Sequence, residues 1–120
     1  MTQIVVVSHS HAIAEGTKEL LEQMASGVTI VAQGGVDGGI GTSYDHIQSL
    51  INELDDDALC FYDIGSAEMN LDLAIEMYEG AQRVVKVDAP IVEGSFTAAV
   101  KLSVGASIDD TLDELTQNFG

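Results

Sequence analysis

The sequence predicts an α/β fold: a mainly parallel, four-stranded sheet with helices on both faces, in three layers. Three observations predict it. Short apolar, β-branched runs alternate with longer segments whose apolar residues recur at helical spacing. The short runs are apolar along their whole length, as in strands covered from both sides. The apolar share is 46% while aromatics are only 5% and Trp is absent, so Val, Ile, Leu, Ala and Met must fill the interior.

The elements follow in order. Residues 4–7 form a β-branched strand. The helix after it carries Ile13, Thr17, Leu20, Leu21 and Met24 on one face, with Ser10 placed to cap its start and Gly27 to end it. Residues 28–32 read as the second strand. A glycine-rich loop follows, with Gly34, Gly35, Gly38, Gly39 and Gly41. Thr42 and Asp45 then make a capping-box pattern ahead of a helix with Ile47, Leu50, Ile51 and Leu54 on one face. Asp55, Asp56 and Asp57 form an acidic turn before the third strand, residues 59–64. Gly65 and Ser66 turn into a helix carrying Met69, Leu73 and Met77, closed by Gly80. The fourth strand is 83–87. Pro90 breaks the chain and restricts the residue before it. The next helix packs with Phe96, Ala99, Val100 and Ser103, and Ser107 with Asp110 caps a last helix with Ile108, Leu112, Leu115 and Phe119 on one face.

Strands alternating with helices imply a parallel sheet, and strands one and three are expected at its centre, giving the order 2-1-3-4. The crevice beyond the end of the first strand is then the topological switch point, where open α/β sheets bind ligands. The chain of 120 residues is expected to be one domain spanning 1–120.

With 20 acidic against 4 basic residues, net −16, the chain has no basic footprint for nucleic acid or an anionic membrane. The acidity serves solubility or docking to basic protein surfaces. Cys60 is the only cysteine and lies in an apolar run, which excludes a disulfide scaffold or a cysteine-rich metal site. No apolar stretch is long enough to span a bilayer and no basic region precedes an apolar one at the N-terminus, so a soluble, cytoplasmic protein is expected.

His9 is the leading candidate for chemistry. It lies just past the first strand, within Val7-Ser8-His9-Ser10, at the expected switch point and beside a helix start. Helix N-termini attract anions, so an imidazole nucleophile there can accept a phosphoryl group. Asp63, at the end of the neighbouring third strand, can orient the ring by accepting one N–H, or can cap the following turn, or both. Ser8, Ser10, Gly65 and Ser66 are candidate phosphate-binding groups, and each serine could equally be a helix cap. The glycine loop lacks the Gly-Lys-Ser/Thr ending of a P-loop. Gly38, Gly39, Gly41 and Thr42 in it could approach a partner or a ligand, or could form a mobile loop. His11 and His46 read as solvated, and no metal site is expected.

Four motifs in order resemble one family: Val-Ser-His-Ser, Gly-Gly-Ile-Gly-Thr-Ser, Asp-Ile-Gly-Ser-Ala and Ala-Pro-Ile-Val-Glu-Gly-Ser. The family is that of the phosphocarrier subunits of phosphoenolpyruvate-dependent dihydroxyacetone kinases, akin to the IIA domains of mannose-type sugar transporters. The resemblance covers nearly the whole chain. It implies that the carrier HPr phosphorylates His9, and that the phosphoryl group passes to ADP on the nucleotide-binding subunit DhaL. The regenerated ATP would then serve dihydroxyacetone held by the subunit DhaK. It implies that Asp63 contacts the histidine and that the turn Gly65-Ser66 lies beside it. It also implies a homodimer, no cofactor bound by this chain, ADP/ATP and Mg on the partner subunit, and separate donor proteins.

Three rival readings are distinguishable. A mannose-type IIA domain would pass phosphate to a IIB protein. A receiver domain of two-component signalling would phosphorylate Asp63, but the position after the first strand holds Ser8-His9-Ser10 instead of acidic Mg²⁺ ligands. A flavin- or nucleotide-binding module fits the fold but has few rings for stacking.

Overall fold

A computed structural model describes residues 1–120. The elements are β1 (Gln3–Ser8), α1 (His11–Met24), β2 (Ile30–Gly34), α2 (Tyr44–Asn52), β3 (Ala58–Tyr62), α3 (Gly65–Glu76), β4 (Val84–Lys86), α4 (Ile91–Ser103) and α5 (Ile108–Phe119). The sheet is parallel throughout with the order β2-β1-β3-β4, as the alternation of elements predicts. Every residue of β1 is buried, consistent with its central position.

The pleat sends alternate residues to opposite faces. Ile4, Val6, Leu59 and Phe61 face α1, α4 and α5, where they meet Leu21, Ala98, Ala99, Leu102 and Leu115. Val5, Val7, Ala58 and Cys60 face α2 and α3, where they meet Ile47, Ile51, Ala67, Leu71 and Ala74. Burial pushes the Cys60 thiol up to about 12, so it stays protonated and inert in the core.

Two helical faces differ from the expectation. On α1 the buried residues are Ala14, Thr17 and Leu21, while Ile13, Leu20 and Met24 are exposed. On α3 the buried residues are Ala67, Leu71 and Ala74, while Met69, Leu73 and Met77 are exposed. Small side chains let a helix lie close on the sheet, so they take the contact face and larger neighbours turn outward. The cap of α2 also differs. Ser43, not Thr42, accepts the His46 N–H at 3.3 Å, while Thr42 Oγ1 accepts from Asn70 Nδ2 of α3 at 2.8 Å. Ser10 and Ser107 cap α1 and α5 as expected.

Two parallel central strands bring their ends to one edge. The register sets Val7 beside Tyr62, so the next residues of each strand, Ser8 with His9 and Asp63, emerge side by side. β1 leads through α1 to β2 on one flank, while β3 leads through α3 to β4 on the other. The switch point therefore falls between β1 and β3, between His9 and Asp63.

Candidate active site

Asp63 is the hub of this edge. Its Oδ2 accepts the Ser8 hydroxyl at 2.8 Å and the His9 backbone N–H at 2.9 Å. Its Oδ1 accepts the Ile64 N–H at 2.7 Å and lies 2.9 Å from His9 Nδ1. Burial pushes this carboxyl up, but the bonds from His9, Ser8 and Ile64 outweigh it and hold the group below the ordinary carboxylate range. An ionised carboxylate only accepts. The proton between the pair therefore sits on Nδ1 of His9, so in the neutral ring Nε2 is the nitrogen that carries the lone pair.

Nε2 faces the Ser66 hydroxyl, which makes a short contact to it. Ser66 is the second residue of α3. That helix begins after Ile64 with no side chain capping its first turn. Its first turn therefore offers backbone N–H groups that no capping side chain takes, in the same turn whose Ser66 meets the ring. The His9 side chain is 16% exposed and that of Asp63 14%, so the imidazole is seated yet reachable.

The structure brings together Ser8, His9, Asp63, Gly65 and Ser66 of the expected residues. Of the serines, Ser66 faces the ring nitrogen, Ser8 holds the carboxylate, and Ser10 is the α1 cap that its position predicts. The fully buried Ser8 hydroxyl donates to Asp63 and accepts the Ser10 N–H at 3.0 Å. Ser10 Oγ accepts the Ile13 N–H at 3.2 Å as the α1 cap. Both hydroxyls are thus engaged in holding the loop and the carboxylate. His11 and His46 are exposed at the starts of α1 and α2.

The glycine loop touches the site through its backbone. Gly41 N–H donates to the His9 carbonyl at 2.8 Å. A Cβ on Gly34 would collide with the Ser10 carbonyl oxygen, so only glycine admits this approach of β2 to the histidine loop. Val36 and Gly39 pair across the loop, and Gly38 sits at φ +80°. Gly34 lies outside the sequence-based site. Its signal is a glycine at the very end of a strand beside the one bearing the histidine. No group of three or more His, Cys, Asp or Glu is arranged to hold a metal ion, and no helix is long and apolar enough to cross a membrane.

A parallel α/β domain that offers one carboxylate-oriented imidazole at its switch point, against an uncapped helix start, defines a narrow class of small proteins. This chain belongs to the EIIA-man family, described as the PTS system fructose IIA component, which matches residues 3–112. It is 41% identical to the phosphotransferase subunit DhaM of the PTS-dependent dihydroxyacetone kinase of Lactococcus lactis, over 93% of this chain and 91% of that protein. It is 40% identical to the phosphoryl donor subunit DhaM of PEP-dependent dihydroxyacetone kinase 2 of Listeria innocua, over 97% and 98%. The Escherichia coli DhaM is 34% identical over 93% of this chain, but the match spans only 26% of that longer protein. Among solved structures, a protein of unknown function superposes with a TM-score of 0.88 at 41% identity, covering 99% of this chain and 95% of that one. The phosphotransferase system component EIIA of Streptococcus agalactiae shares the fold, with a TM-score of 0.70 at 17% identity over 98% and 91%.

Proposed function

We propose that this chain is the phosphoryl donor subunit of a PEP-dependent dihydroxyacetone kinase and that it carries the phosphoryl group on Nε2 of His9. The observation that carries this reading is the pairing of His9 Nδ1 with Asp63 at 2.9 Å, which makes Nε2 the lone-pair nitrogen of the neutral ring, at the start of α3. The names of the full-length relatives supply the kinase.

The geometry of His9, Asp63 and Ser66 supports the following chemistry. The Nε2 lone pair attacks the phosphorus of the phosphorylated donor, HPr. A new N–P bond forms as the bond from phosphorus to the donor's carrier atom breaks, and the donor leaves with the electron pair. His9 gains positive character, which the Asp63 carboxylate stabilises through Nδ1–H. Phosphoryl transfer asks mainly for alignment and for donors to the phosphoryl oxygens. Ser66, turned from Nε2 to an oxygen, and the leading N–H groups of α3, with Gly65 among them, serve as those donors. Ser8 and Ser10 act one step back, on Asp63 and on the loop. In the return step the bond to Nε2 breaks and the phosphoryl group passes to ADP on DhaL, with Mg²⁺ held there; DhaK is served through the ATP so made. This chain needs no cofactor of its own, and the whole of 1–120 acts as one domain, in the cytoplasm and as a homodimer. Residues 38–42 are then the part of the loop that meets partners.

Engagement of both Asp63 oxygens supports a histidine carrier over an aspartyl receiver, because a nucleophilic carboxylate needs a free oxygen. The test is a mixture of labelled phosphoenolpyruvate, enzyme I, HPr and this protein, with and without ADP-loaded DhaL. Acid-labile, base-stable label on the wild type, absent in a folded His9→Ala variant and released only by DhaL, is the expected result. Label retained by His9→Ala would move the nucleophile elsewhere, and release to a IIB protein instead of DhaL would make this a transporter component.

A further inference from the structure

Lys86 is the one basic side chain carried by a strand of the sheet: it is the last residue of β4, in register with Cys60 of β3. Its ammonium lies 2.6 Å from Glu68, 3.1 Å from Asp72 and 3.5 Å from Asp88, and 5.6 Å from the centre of the Tyr62 ring. The Tyr62 hydroxyl donates to Asp88 at 2.8 Å. The lysine side chain is only 18% exposed. The other basic side chains that form ion pairs do so elsewhere: Arg83 with Asp109 beyond the opposite edge, and Lys101 with Glu114 between α4 and α5.

Glu68 and Asp72 sit one turn apart on α3, so Lys86 grips two successive turns of one helix from the end of β4. Two points fix both the rotation and the axial position of a helix, which one contact cannot. The gripped end is the end that brings Ser66 to His9. The buried residues beneath it, Ala67, Leu71 and Ala74, include two alanines, whose short side chains interlock little with the sheet. Burial works against the lysine's charge, yet its bonds to Glu68 and Asp72 outweigh this and hold the ammonium protonated.

We propose that Lys86 is a positioning residue for phosphoryl transfer: its two-turn grip on Glu68 and Asp72 holds the start of α3 where Ser66 and the leading N–H groups meet the phosphoryl group on His9. The proposal rests on His9 being the carrier. A helix start displaced by a fraction of its pitch loses aligned donors, and small misplacements weaken positioned chemistry steeply.

The experiment measures transfer from phosphorylated HPr to this protein as donor concentration varies, in the wild type, Lys86→Met, Lys86→Arg, Lys101→Met and the triple variant Lys86→Met/Glu68→Gln/Asp72→Asn. Positioning predicts that Lys86→Met lowers kcat about tenfold with KM unchanged, since docking is untouched. Lys86→Arg keeps the charge and restores most of the rate, and Lys101→Met behaves as wild type. The triple variant leaves neither α3 carboxylate unpaired, so it recovers thermal stability but keeps the low kcat. If Lys86→Met does not fold, the triple variant alone decides. Wild-type kcat in either Lys86→Met or the triple variant would overturn the proposal. A wild-type protein that takes no label on His9 would instead overturn the carrier reading itself.

Discussion

The four hydrogen bonds gathered by Asp63 set the state of His9, and replacing the carboxylate by a carboxamide of the same size isolates that effect. The carboxamide can donate to Nδ1, which sends the ring proton to Nε2 and silences the nucleophile. Asp63→Asn is expected to slow phosphoryl acceptance about 10²-fold or more, read in a single-turnover transfer assay; a rate near wild type would detach Asp63 from the reaction. The same residue makes an acid-stability prediction. Its folded pKa is depressed, so its contribution is present above the unfolded value and is lost as pH falls through the folded one. Wild-type stability to urea should therefore fall below about pH 4, more steeply than in Asp63→Asn, and parallel profiles would contradict the depression. The grouping of His9, Asp63 and Ser66 was legible in the sequence because parallel strands end, and the helix after β3 begins, at one edge. The direction of the Ser8 hydroxyl was not, because a short polar side chain takes whichever partner the folded loop offers.

At the scale of elements, two glycines give opposite expectations. Gly34→Ala would push a Cβ into the Ser10 carbonyl and should cost about 1–3 kcal/mol in chemical unfolding while also slowing transfer, because the displaced segment carries His9. Gly16 lies exposed within α1 with nothing within 4 Å of an added Cβ, so Gly16→Ala should stabilise by about 0.5–1 kcal/mol and leave transfer unchanged. Equal effects of the two would show that close approach is not what β2 demands at its end. Helix positions and most caps could be read from spacing, but the buried face of α3 could not, and that of α1 only in part. On α1, periodicity marks Ile13, Thr17, Leu20, Leu21 and Met24 as one face; Thr17 and Leu21 make the contact, but Ala14 replaces Ile13, Leu20 and Met24 beside them. The choice depends on how closely helix and sheet approach, a three-dimensional quantity that no single helix encodes.

Over the whole molecule, a net charge of −16 surrounds a site that, in the proposed reaction, receives a phosphoryl dianion. Such a surface speeds encounter with a basic-faced donor and slows it with an acidic one. Transfer from HPr at limiting concentration should fall as salt rises toward a Debye length of about 8 Å, while the rate at saturating donor holds; an unchanged limiting rate would leave the acidity to solubility alone. The strand order was legible because alternating strands and helices leave few topologies once two strands must be central. The Lys86 grip was not, because its partners lie on a helix whose rotation only the packed structure defines. The most direct measurement is nuclear magnetic resonance of ¹⁵N-histidine-labelled protein after phosphorylation, reading which nitrogen couples to phosphorus. Coupling at Nε2 of His9, with Nδ1 still protonated against Asp63, is the predicted result. Coupling at Nδ1, or at a histidine other than His9, would contradict it.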